Sequence, residues 1–204
     1  LAIQGSDAAS VDLGAAHAVD LGGSGTRVGI GQEHLSPLFG ADGFEMSMTL
    51  GADMPGAAGE VARIHANLHL SITPDGEIAS RLWTTEDQYR LTTEGAALND
   101  GADHDITVAL DDETGRFEAY VDGRLVGALD VQGAVRDDFP RSLSFGDPWG
   151  ADGDNFEGSL TGFSLTIPGS YYPDYQGDPA LVPDAAMPVD ELPFMTDSTA
   201  TEGG

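Results

Sequence analysis

From about residue 16 to 168 apolar and polar positions alternate. Phe44, Met46, Met48 and Leu50 share one parity, with Glu45, Ser47 and Thr49 on the other, and Ile64, Ala66, Leu68, Leu70 and Ile72 repeat the scheme. A period of two predicts strands, because successive side chains of an extended chain point to opposite faces. Shorter runs follow at Ile78-Ser80-Leu82, Ile106-Val108-Leu110, Phe117-Ala119-Val121, Leu143-Phe145 and Phe163-Leu165-Ile167, and none carries a 3.6-residue stripe. Between them, Pro74-Asp75-Gly76, Asn99-Asp100-Gly101, Glu113-Thr114-Gly115 and Asp122-Gly123 supply the positive-φ residues that hairpins need. Some ten to twelve strands, each with one apolar face and no helix to cover it, predict two antiparallel sheets packed face to face. The expected fold is therefore an all-β sandwich of jelly-roll type.

Outside that region the pattern stops. Residues 1–15 are small and polar and read as a lead-in. Residues 169–204 are rich in Pro, Gly and Asp and read as an acidic linker or strap, whose Tyr171, Tyr172 and Tyr175 could dock on the domain. The chain opens Leu1-Ala2-Ile3 without Met, which is the reading expected of a segment of a longer polypeptide.

The charge balance narrows the partners. The 204 residues hold 35 Asp and Glu against 8 basic residues, all arginine, for a formal net charge of −27. No basic patch of the kind that releases counterions from phosphates is available, so nucleic acid is excluded as a partner. The balance fits a high-salt, extracellular or calcium-rich setting, although a GC-rich genome also favours Arg over Lys. Cysteine is absent, which removes disulfides, thiolate metal sites and a Cys nucleophile. No run of about 18 apolar residues is present to span a membrane.

The stretch from Leu98 (LNDGADHDITVALDDETGRFEAYVDGRLVGAL) resembles the laminin G-like and concanavalin A-like lectin superfamily, with its Leu-x-Asp-Gly-x-x-His strand start and Tyr-Val-Asp-Gly hairpin. Leu143 to Ile167 resembles that superfamily's closing strands, and Ala18 to Leu50 its opening ones. The resemblance covers residues 16–168 and implies a sandwich used for recognition or adhesion, secreted or at a bacterial cell surface, with a glycan as the expected ligand.

It also implies a place for Ca²⁺, a hard cation that takes 6–8 oxygen ligands. Carried over from calcium-binding laminin G-like domains, the donors fall at Asp87 and Asp137 or Asp138, with backbone carbonyl oxygen near His104 and Asp105. A second set, similar to the acidic loop of pentraxins, is Asp147, Asp152, Asp154 and Asn155. With so many carboxylates, acidic pairs in loops also arise by chance.

The residues themselves suggest a surface. By strand parity His65, Asn67 and His69 share an outward face, as do Arg81 and Trp83, and Tyr120 faces outward on its own strand. Aromatic faces beside Arg, His and Asn are the composition of a sugar-binding surface, although a covering strap would make them ordinary packing. On a straight strand His65 and His69 stand roughly 13 Å apart, too far to share an ion. The Glu-x-Asp-x-x-Glu strand common to glycosidases on this sandwich is absent, and Gly22-Gly23-Ser24-Gly25 lacks the context of a nucleophile elbow. A non-catalytic binding module is expected; a ligand-free spacer and a hydrolase are the alternatives.

Overall fold

The computed structural model describes residues 9–12, 18–21, 28–146 and 156–167. Its strands in chain order are β1 (Ala9–Asp12), β2 (Val19–Asp20), β3 (Val28–Ile30), β4 (Phe44–Ala52), β5 (Gly59–Ile64), β6 (Leu68–Ile72), β7 (Ile78–Trp83), β8 (Gln88–Thr92), β9 (Asp103–Asp111), β10 (Arg116–Val121), β11 (Arg124–Asp130), β12 (Leu143–Phe145) and β13 (Gly158–Ile167). Helix among the described residues is limited to two 3₁₀ turns, Gln32–His34 and Ser36–Leu38.

Two antiparallel sheets result. The first runs β1-β13-β4-β9-β10-β11, with β2 added to β13; the second runs β3-β12-β5-β6-β7-β8. Alternation decides which side chains meet. In the first sheet Met46 pairs with Val108 and Leu165, and Val108 pairs with Ala119; all four are buried. In the second, Leu143, Ile64, Leu68 and Leu82 form one buried row across four strands. Both inner faces join a single core that includes the fully buried Phe44, Phe117, Phe156 and Phe163. This is the expected jelly-roll sandwich. The pairing of β1 with Ser164–Ile167 also brings part of the segment read as a lead-in into the first sheet.

The turn chemistry holds at Gly76, Gly115 and Asp122-Gly123, where φ is 79°, 65° and 51°/74°. At Asn99-Asp100-Gly101 the same chemistry serves a crossover from β8 in one sheet to β9 in the other, not a hairpin.

One strand expectation is corrected. Residues 64–72 do not form one strand: the chain reverses at His65-Ala66-Asn67, pairing Ile64 with Leu68 and Arg63 with His69. The Asn67 amide closes the turn on the Ile64 carbonyl at 2.9 Å, and Ala66 takes φ 61°. A three-residue turn between two strands preserves the parity of the buried residues, so the alternation reads through it unbroken.

Candidate functional site

The outer face of the second sheet gathers most of the outward-facing residues singled out in the sequence. His69 on β6, Arg81 and Trp83 on β7, and Arg90 on β8 share that face: Leu68, Leu70 and Leu82 point into the core between them, and Arg81 is paired with both His69 and Arg90. The His69 and Trp83 rings lie 4.7 Å apart at 57°. Because the chain reverses after Ile64, the His65 ring lies 6.4 Å from that of His69, about half of what a straight strand requires.

A loop with no apolar period completes the surface. Residues 131–142 run beside the end of β7, held by a bridge between Thr84 and Val135, by the Arg136 amide donating to the Trp83 carbonyl at 3.0 Å, and by the Thr84 hydroxyl donating to Gln132 O at 2.7 Å. This brings the Phe139 ring to 5.9 Å from His65, and the Arg141 guanidinium stacks 3.6 Å from the Phe139 centroid. Phe139, His65, His69 and Trp83 thereby form a ladder of rings. Phe139, Arg141 and Arg90 have no signal in periodicity; the register of β8 and the anchored loop place them.

Two residues expected on this face lie elsewhere. Asn67 is fully buried, and its amide donates to the Arg136 carbonyl at 2.7 Å, so it supports the loop from beneath. The turn that was read as strand turns it inward. Tyr120 is on β10 of the other sheet, so it and Trp83 belong to opposite outer faces. Its hydroxyl donates to Glu118 at 2.5 Å, and that contact, with burial, pushes the phenol pKa up to about 12.

Among the described residues no group of three or more His, Asp or Glu side chains is placed to hold a metal ion. The positions expected to serve calcium are Asp87 and Asp137 or Asp138, with backbone oxygen near Asp105. Each has another role or is simply exposed: Asp87 accepts from the Gln88 amide, Asp105 from the Thr49 hydroxyl, and Asp138 pairs with Arg136, while Asp137 is exposed. Asp147, Asp152, Asp154 and Asn155 lie outside the described residues.

The other marked electrostatic feature is remote, in the first sheet. His104 Nδ1 lies 2.9 Å from Asp122 and Nε2 3.2 Å from Asp100. The Asp122 contact above all raises the imidazole pKa, and the same contact holds Asp122 below the usual carboxylate range.

No family model matches the chain, and no curated protein does. Solved structures do. The CBM40 of the Ruminococcus gnavus IT-sialidase bound to α2,3-sialyllactose aligns with a TM-score of 0.56 at 14% identity, covering 79% of this chain and 95% of that one. The same module bound to α2,6-sialyllactose aligns at 0.51 and 13% identity, over 79% and 96%. A leech intramolecular trans-sialidase complexed with 2,7-anhydro-Neu5Ac aligns at 0.54 and 13% identity, over 77% of this chain and 26% of that one. These likenesses show a jelly-roll β-sandwich fold and do not single out laminin G domains.

Proposed function

We propose that the chain is a non-catalytic glycan-binding module of a larger secreted or cell-surface bacterial protein, and that the outer face of its second sheet is the binding surface. The ladder Phe139-His65-His69-Trp83, flanked by Arg81 and Arg141, carries the reading. Flat aromatic faces stack on the apolar face of a pyranose, and neighbouring cationic and polar groups bond its hydroxyls. The opposite outer face differs in kind: Tyr120 and Leu125 lie on it, but the other exposed or half-buried positions include Ser47, Thr49, Thr107, Thr161 and Ser164 with Glu45 and Glu118, and no ring ladder runs across them. That similarly folded modules were solved with sialyllactose supports a glycan ligand. The missing Glu-x-Asp-x-x-Glu strand supports a role without catalysis.

The test is retention on immobilised glycans by the wild type and by Trp83→Ala. The half-buried indole contributes to packing, so the substitution costs about 1–2 kcal/mol and leaves a folded domain. Loss of retention with a cooperative melting curve is expected. Retention unchanged by the substitution would move the site elsewhere, and a wild type that no glycan retains would leave a spacer domain.

A further inference from the structure

Arg81 and Arg90 are direct cross-strand partners on β7 and β8, about 5 Å apart across the ladder. Both are exposed on the outer face. Like charges directly opposite on neighbouring strands oppose folding. Carboxylates outnumber arginines 35 to 8 in this chain, so a neutralising partner is the expected arrangement, and Arg63, Arg116 and Arg136 each have one in Glu60, Glu118 and Asp138. Among the described residues Arg81 and Arg90 have no ion pair and no hydrogen bond from their guanidiniums. Two adjacent guanidiniums, each a planar fork of five donors, are complementary to one oxyanion, which relieves their repulsion and accepts from both.

The pair sits beside the aromatic ladder and does not coincide with it. Trp83 is two residues beyond Arg81 on the same face, roughly 7 Å along the strand. Its ring meets His69 of β6, on the side of β7 away from β8. A ligand that uses both features therefore carries its acid group beyond the ring that stacks.

We propose that Arg81 and Arg90 seat the acid group of the ligand, and that the ligand class is an acidic oligosaccharide of at least two units, one bearing the acid and another stacking on Trp83. This rests on the reading that the face binds glycan. Carboxylate and sulfate ester share the required chemistry, a compact oxyanion with two or more acceptor oxygens.

The experiment measures affinities of the intact chain for 3′-sialyllactose, a glucuronate-containing oligosaccharide and a sulfated disaccharide, with lactose as the neutral probe. Wild type is compared with R81Q/R90Q and, should the double variant fold poorly, with R90Q alone. The wild type is expected to bind at least one acidic probe about tenfold more tightly than lactose, and high salt should shrink that margin. The acidic probe bound most tightly separates carboxylate from sulfate. In R81Q/R90Q the affinity for the acidic probes should fall to that for lactose, so that the margin vanishes, while the melting curve stays cooperative. Equal wild-type affinity for lactose and every acidic probe, or a margin that survives the substitutions, overturns the seat and leaves the glycan reading standing. A wild type that binds no probe overturns both.

Discussion

Trp83 is tied to the loop that flanks it by Arg136, whose backbone N–H donates to the Trp83 carbonyl at 3.0 Å while its own carbonyl accepts from the buried Asn67 amide at 2.7 Å. The β5–β6 turn, the end of β7 and the loop are thus one unit, and the ring ladder depends on it. Replacing Asn67 by Ala removes a buried hydrogen bond and orphans the Arg136 carbonyl, which costs about 1–3 kcal/mol. Thermal melting should show that loss together with weaker glycan binding, although a fully buried Asn67 has no exposed surface for a ligand. Unchanged melting would mean that the loop is held without it.

Gly158 opens β13 where no side chain fits. A Cβ there would lie 2.1 Å from the Gly51 carbonyl oxygen and 2.5 Å from Phe156 Cε1. Because the first obstacle is the backbone of the paired strand, Gly158→Ala must displace β4 or β13, at a cost of about 3 kcal/mol or more. Chemical denaturation measures it; a loss under about 1 kcal/mol would contradict this packing.

The inner faces of the sandwich were legible from period two alone because burial on one side is what creates the alternation: Phe44, Met46, Met48 and Leu50 are all buried, as are Ile106, Val108 and Leu110. The turn at His65-Ala66-Asn67 was not legible. It carries no Gly or Pro, and its three-residue length keeps Ile64 and Leu68 in phase. That concealed reversal is also why the His65 and His69 rings, 6.4 Å apart, looked too distant, and why Asn67 looked outward. Parity gives the outward direction of Tyr120 but says nothing about which sheet its strand joins. Arg90 and Phe139 reach the surface through cross-strand register and loop anchoring, both set by tertiary pairing.

His104 gives the fold a pH dependence with a defined sign. Its hydrogen bond to Asp122 above all, and that to Asp100, raise its pKa although burial opposes them. Stabilisation from this protonated imidazole is complete below the unfolded value of about 6.5 and is lost as pH rises through the raised folded value. His104→Gln should therefore lower Tm more at about pH 5.5 than at about pH 9. Melting curves at both pH values test this, and an equal or reversed difference would show that the imidazole is not charged in the folded protein.

Tyr120 supplies a control on the far face. Tyr120→Phe removes the bond to Glu118 and should leave glycan affinity within about twofold of wild type, or under about 0.5 kcal/mol. Glu118→Gln should lower the phenol pKa from about 12 toward the ordinary value of about 10, as read by ultraviolet titration. A large loss of binding in Tyr120→Phe would place the ligand on the first sheet.

The face that binds is most directly located by titrating the isotopically labelled domain with 3′-sialyllactose and following backbone and side-chain NMR shifts. The largest changes should fall at His69, Arg81, Trp83, Arg90 and Phe139, with the Trp83 indole N–H among them, and Thr107, Glu118 and Tyr120 should stay in place. Shifts concentrated on the second group, or none at saturating ligand, would contradict the assignment of the outer face of the second sheet as the binding surface.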